Sequence, residues 1–360
     1  MNSTQSPLVV QYLYVHGQDE EFFYPSARAA AGAAGVARRY LECALVQAAS
    51  LSLRSDTDCE LALATNIADR GALGRVGIEL LEAIESLGVE VLHTDYHHRP
   101  ADNSSTYVSS RYVLDAIVEV AKRQPADRQL VLTDLDCVWV DPRRLFASIP
   151  PAPRIGCIHI DYPTDWDVVG FGDEHRTRGK IGELAELFGG PAAATLEQAV
   201  PWVGGELLAG TAEALTELVA KCDELDAALI AEGRVLPTEE QILTLAGALG
   251  RMDFQNLSGA AWRLQTGPRH KAPPVEDPLS LGLWHLPSEK GLSLRRAAAQ
   301  LRRGRTAPLR RDLAEPRRLA RRFNVLGTGL GRRVRDDGWI AGRRVYGALS
   351  TRIGVLPPAA

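Results

Sequence analysis

The chain has 360 residues, 45% hydrophobic and 24% charged, enough to bury one large core or two modest ones. Nowhere do about 18 apolar residues run together, which excludes a spanning helix, and the opening MNSTQSPLVV carries no basic residue ahead of its apolar stretch, so no secretory signal is read there. The net charge of −4 hides a split, because residues 291–360 hold 17 arginines, no lysine and four acids, a balance of +13, and residues 1–290, with 24 basic and 41 acidic residues, carry −17.

In chain order, LVVQYLYVH (8–16) reads as a strand, 29–53 as a long helix, CELALAT (59–65) as a second strand and 72–87 as a helix. VEVLHT (89–94) is a third strand. The polar loop from Asp95 leads to a helix over 107–122, and residues 130–133 form a fourth strand. Beyond it RIGCIHI (154–160) and the glycine-bearing WVGGELLAG (202–210) read as strands, 211–231 as a helix capped by Thr211, 237–249 as another helix and LGLWHLP (281–287) as a short strand. Strands alternating with helices of this length predict an α/β fold with a mostly parallel sheet flanked by helices, in which ligands bind beyond the carboxyl ends of the strands. The five cysteines include no close pair, which argues against a zinc knuckle or a disulfide framework and makes a reducing cytoplasm the default compartment.

The fourth strand ends in TDLDCVWV, with Asp134 and Asp136 one residue apart. Side chains two apart on an extended chain point the same way, and two like charges that close call for a cation. The pair reads as hard oxygen ligands for a divalent metal, as a nucleophile with its acid, or as an Asp-rich turn. His97 and His98, adjacent in the loop after Asp95, point apart in an extended chain and read as substrate-facing or solvated.

An apolar strand running into Asp-x-Asp-x-Val resembles two families. One is the haloacid-dehalogenase-type phosphatases, with Asp134 as nucleophile, but those place the strand near the N-terminus, and here about 130 residues precede it. The other is the GT-A glycosyltransferases of the retaining DxD type, and these match in order across roughly residues 8–290: an αβ half ahead of the pair, then WVGGELLAGTAEAL, TEEQILTL and LWHLPSEKG. That resemblance implies a GT-A-like catalytic domain over 1–290 and transfer of a sugar from a nucleotide-diphosphate sugar to a glycan, lipid-linked or small-molecule acceptor. It implies a metal held by Asp134, Asp136 and His285, with Lys290 and Arg111 facing the donor. A histidine ligand favours Mn²⁺ over Mg²⁺. Gly204 and Gly205 would let backbone approach the sugar, Glu206 would face acceptor or sugar, and Glu239 or Glu240 would serve in catalysis. The two glutamates have a second reading, since Thr238-x-x-Gln241 is a capping box and acids in a first turn meet the helix dipole. The loops 95–106 and 161–178 would set specificity.

From Leu292 the pattern changes. Leu294, Leu301, Leu309, Leu313, Leu319 and Phe323 recur among paired arginines, as short amphipathic helices broken by Gly304, Pro308 and Pro316. With Trp339 these suit an anionic membrane surface, giving a basic helical tail over 291–360 and a peripheral place at the inner face of the membrane. The alternative is a tail docked on the acidic body. Nucleic acid is not expected as a partner, because lysine is absent and aromatics are few. If the tail only binds membrane, its removal leaves turnover of a soluble acceptor intact.

Overall fold

A computed structural model describes residues 5–16, 32–54, 57–100, 108–160, 174–190, 202–264, 266 and 277–327. Its strands are β1 (Leu8–Leu13), β2 (Glu60–Thr65), β3 (Val89–His93), β4 (Gln129–Thr133), β5 (Cys137–Trp139), β6 (Ile155–Ile160), β7 (Trp202–Thr211), β8 (Phe254–Asn256), β9 (Ala261–Arg263) and β10 (Leu283–His285). Its helices are α1 (Gly32–Ser52), α2 (Gly74–Glu85), α3 (Tyr112–Ala121), α4 (Pro142–Ser148), α5 (Glu174–Leu187), α6 (Ala212–Ala231), α7 (Glu239–Ala248), α8 (Ser293–Leu301), α9 (Ala307–Leu313) and α10 (Pro316–Arg322).

Seven strands form one sheet in the order β3-β2-β1-β4-β7-β6-β8, and β5-β10-β9 form a small second sheet. In the large sheet β1 to β4 pair in parallel, as do β6 and β8, whereas β7 runs antiparallel between β4 and β6. The expected α/β class with a mostly parallel, helix-covered sheet is therefore what forms. Every residue of β1 is buried, and the two faces divide them by alternation: Val9 and Leu13 pack with α1 and α2, while Leu8, Val10 and Tyr12 pack with α3, α6 and α7.

The caps read from the sequence are present. Thr211 accepts from the Ala214 amide at 3.2 Å, and Thr238 and Gln241 make a reciprocal capping box. The sequence reading lacks β5, β8, β9, α4 and α5, the last beginning at Glu174 inside the stretch 161–178 read as a loop. Three-residue strands leave no period to detect, although Asp141-Pro142 at the start of α4 is a recognisable helix opening.

The compositional break near residue 290 is not a break in the core. Leu294, Leu301, Leu309, Leu313, Leu319 and Phe323 lie in the same buried cluster as α1 and β1. Arg302 meets Glu79 of α2 at 2.8 Å. Over 293–323 the apolar stripe is thus spent on the body, and the docked arrangement replaces the one in which that stripe faces a bilayer. Trp339, with the rest of 328–360, lies outside the described residues, as do parts of both specificity loops. No helix among the described residues is long and apolar enough to cross a membrane.

Candidate metal centre

Three local devices assemble the centre. First, β4 stops at Thr133, and the chain turns through Asp134–Asp136 before β5, so both carboxylates leave the carboxyl edge of the sheet. Second, β10 lies antiparallel to β5 with His285 opposite Cys137, and the Leu286 amide donates to the Asp136 carbonyl at 2.9 Å. That register carries His285 beside the pair. Third, antiparallel β7 brings Glu206 across from Asp134, whose amide donates to the Glu206 carbonyl at 3.1 Å.

His285 Nε2 lies 3.2 Å from Asp136 Oδ2 and 3.4 Å from Asp134 Oδ2. One ligand atom from each residue falls within 4.8 Å of the other two. Asp136 Oδ2 and both ring nitrogens of His285 are buried without a well-directed hydrogen bond. Buried polar atoms are ordinarily satisfied, so acceptors turned on a common point fit a divalent cation. Asp134 retains 35% exposure and forms the open side. Asp134, Asp136 and His285 therefore suit a divalent cation, leaving positions for ligand oxygens.

Lys290 lies 3.2 Å from Asp136 Oδ2 and 5.1 Å over the Tyr40 ring. Burial opposes ionisation of Asp136, but Lys290 and His285 outweigh it and hold the carboxyl well below its usual range. Burial would also depress His285, and Asp136, Glu206 and Asp134 overrule it to lift the imidazole to about 9. Partial desolvation raises Asp134, although His285 pulls it down. The turn carrying Lys290 is anchored by fully buried Glu289, which accepts from the Thr266 and Ser293 hydroxyls and, at 3.0 Å, from the Asn324 amide. Helix α8 and the residues after α10 thus hold one edge of the site.

Glu206 does not face open space. Arg263 clamps it in a two-pronged pair, Nε to Oε1 at 2.8 Å and Nη2 to Oε2 at 2.9 Å, and the same guanidinium reaches Glu240 at 2.7 Å. Burial would raise Glu206, but Arg263 and His285 bring it down to about 2. With Oε1 3.6 Å from His285 Nδ1, Glu206 supports the histidine from behind. Glu240 also accepts from the Trp202 indole at 3.0 Å. Burial and the neighbouring Glu240 push Glu239 up to about 8.

Gly204 and Gly205 answer to these carboxylates. A Cβ on Gly204 would collide with Glu206 and one on Gly205 with Glu239, so the space given up by the glycines is filled by protein side chains. Arg111 sits apart from the others. Its buried guanidinium is committed to Asp226 and, at 3.1 Å, to the Leu236 carbonyl. His98 is clasped between Asp115, at 2.8 Å, and Asp223, at 3.2 Å, so it ties its loop to α3 and α6 instead of lying solvated.

Two members were missed in the sequence. Tyr12 donates to Asp134 Oδ1 at 2.7 Å, and its position is foreshadowed by the parallel register that sets Gln11 beside Thr133. Arg263 sits opposite His285 in the β9–β10 pair, in a three-residue strand with no pattern of its own.

No family model matches the chain, and no curated protein matches it in sequence. In structure it is similar to mouse xyloside xylosyltransferase 1 in its apo form, at 14% identity and a TM-score of 0.47, over 78% of this chain and 97% of that one. It is similar also to the galactosyltransferase LgtC in complex with donor and acceptor sugar analogues, at 12% identity and a TM-score of 0.43, over 82% and 95%. Both likenesses are distant, and the chemistry of the centre is carried by its own residues.

Proposed function

We propose that the chain is a metal-dependent, GT-A-like glycosyltransferase that moves a sugar from a nucleotide diphosphate to a glycan, lipid-linked or small-molecule acceptor. The observation that carries this reading is the convergence of Asp134, Asp136 and His285 on one point at the sheet edge, with Lys290 alongside. A divalent cation there would neutralise the diphosphate leaving group and orient it, and the histidine in the set favours Mn²⁺. Lys290 is the point charge for a phosphate oxygen once a cation takes over Asp136.

The remaining residues divide by what they can reach. Arg263 holds Glu206 against His285, which makes both of them positioning residues. Glu240, 22% exposed at the mouth of the Arg263 pair, is the acid best placed to meet a sugar. A base platform is available at the carboxyl ends of β1 and β3, where Tyr14, Tyr96 and Tyr112 cluster with ring centroids 4.8–5.5 Å apart and Arg99 lies 5.9 Å over Tyr96. The five free cysteines suit a reducing compartment.

Isothermal titration of UDP, GDP and dTDP, with and without Mn²⁺, tests the reading on wild type and on Asp136→Ala. Metal-dependent binding of a nucleotide that disappears in the variant is the expected result. Failure of folded protein to bind any nucleotide would remove the reading, and a covalent phosphate trapped on Asp134 would replace it with phosphoryl transfer.

A further inference from the structure

Helices α8, α9 and α10 turn their apolar sides into the body and, with the turn between α8 and α9, leave nine arginines exposed. Six of these, Arg296, Arg303, Arg305, Arg310, Arg317 and Arg321, make no ion pair with any described residue. The acids within the same helical stretch are neutralised locally: Asp312 lies 2.6 Å from Arg322, and Glu315 lies 2.5 Å from Arg318. Helices α8 and α9 both pack on α1, and α10 packs on α9. Folding has therefore sorted the amphipathic pattern into a buried leucine face and a solvated guanidinium face.

We propose that this face docks the protein on an anionic bilayer, with arginines paired to lipid phosphates and no helix inserted. Guanidinium is the group suited to the task, since its planar fork binds phosphate oxygens two at a time and sheds water more readily than an ammonium. The charge is spread over three short helices and the turn between the first two, which matches a two-dimensional array of headgroups better than a single polyanionic strand. The only aromatic between residues 291 and 327 is Phe323, which is fully buried, so the face offers no platform for stacking bases. The acidic remainder of the chain is repelled by an anionic plane and turns the arginine face toward it. Leu326, 48% exposed just beyond α10, adds one apolar contact at the edge. This docking differs from the insertion that the leucine spacing suggests, because the leucines are occupied.

The test uses the full chain and sedimentation with vesicles of phosphatidylcholine carrying about 30% phosphatidylserine, against phosphatidylcholine alone. Binding to the anionic vesicles only, weakened as salt rises from about 0.1 M to about 0.5 M, is the expected result. In a variant carrying R303Q, R305Q, R310Q and R317Q together, each lost charge removes about 1 kcal/mol, so partitioning falls about a thousandfold. None of the four touches the metal centre, so the variant retains its circular dichroism and its nucleotide affinity measured without vesicles. A failure of docking is thereby separated from a failure of the transferase reading. Equal pelleting with neutral lipid, or a variant that binds within about threefold of wild type, would overturn the proposal. Binding to heparin or duplex DNA at about 0.15 M salt while vesicles are ignored would overturn it in favour of a soluble polyanion.

Discussion

At the metal centre Asp136 keeps 1% of its side chain exposed and stands 3.2 Å from both His285 and Lys290; on the outer helices Arg317 is exposed and pairs with no described residue. The same kind of group is put to opposite uses. In the centre the cost of desolvating each charge is met by a specific partner, so removing one member strands another in a place water cannot reach. On the outer helices each arginine without an ion pair to a described residue keeps its hydration and contributes almost nothing alone, and only the sum of many has an effect at a distance. Between the two lie the buried leucines of α8–α10, which attach the second region to the first.

Those leucines give the sharpest break. Deleting residues 293–360 removes six large buried apolar side chains, Leu294, Leu301, Leu309, Leu313, Leu319 and Phe323, each worth about 1.5–3 kcal/mol, which together rival the whole stability of a domain. The expected outcome is insoluble or unfolded protein, read by circular dichroism, and a folded, active truncation would show the two regions to be independent. Next in size is Asp136→Asn, which removes the nearest counter-charge of Lys290 and His285. Urea unfolding should show a loss of about 3–5 kcal/mol, together with loss of metal binding. Arg263→Met leaves Glu206 buried without its guanidinium partner, costs about 2–4 kcal/mol, and loosens His285 from behind. Metal affinity by titration calorimetry should fall about 10–100-fold although no ligand is changed.

The same contrast explains what the sequence could tell. The parallel half was legible because β1, β2 and β4 are continuous apolar runs separated by long helices, a pattern with few alternatives. Asp134 and Asp136 were legible because the end of a buried strand is a costly place for two acids. His285, Lys290, Glu206 and the paired glutamates were reached through the order of motifs, whereas their partner Arg263 was not, since its role depends on a β9–β10 pairing of three residues. Glu206 and Gly204 were singled out for an approach to a sugar, and the structure adds a local reason for the glycine, which leaves room for the Glu206 carboxylate. The fate of the leucine stripe was open for a physical reason as well, because amphipathic spacing is the same whether the apolar face meets lipid or protein.

Glu239 sharpens the comparison from the acid side. Its folded value of about 8 lies above the ordinary 4.5, so the native state favours the protonated form. That contribution is complete below about pH 4.5 and is lost as pH rises through about 8. Glu206 has the opposite sign: held at about 2, it stabilises above the ordinary carboxylate range, and that stability is lost as pH falls toward 2. Glu239→Gln keeps the neutral shape, so its unfolding midpoint should match wild type near pH 5 and exceed it near pH 9, by a difference on the order of a few kcal/mol. A parallel loss of stability in both proteins would place the raised group elsewhere.

The smallest expected effect is the most discriminating for the outer helices. Arg317→Gln alone removes an exposed charge with no ion pair to any described residue, and its unfolding free energy should stay within about 0.5 kcal/mol of wild type. Because a hydrated guanidinium gains little from the fold, any larger loss would mean that Arg317 has a partner in the folded chain and that the charge of α10 is structural. An unchanged stability leaves those arginines without a role in folding, and charge retained on a surface at no benefit to the fold is charge available to a partner.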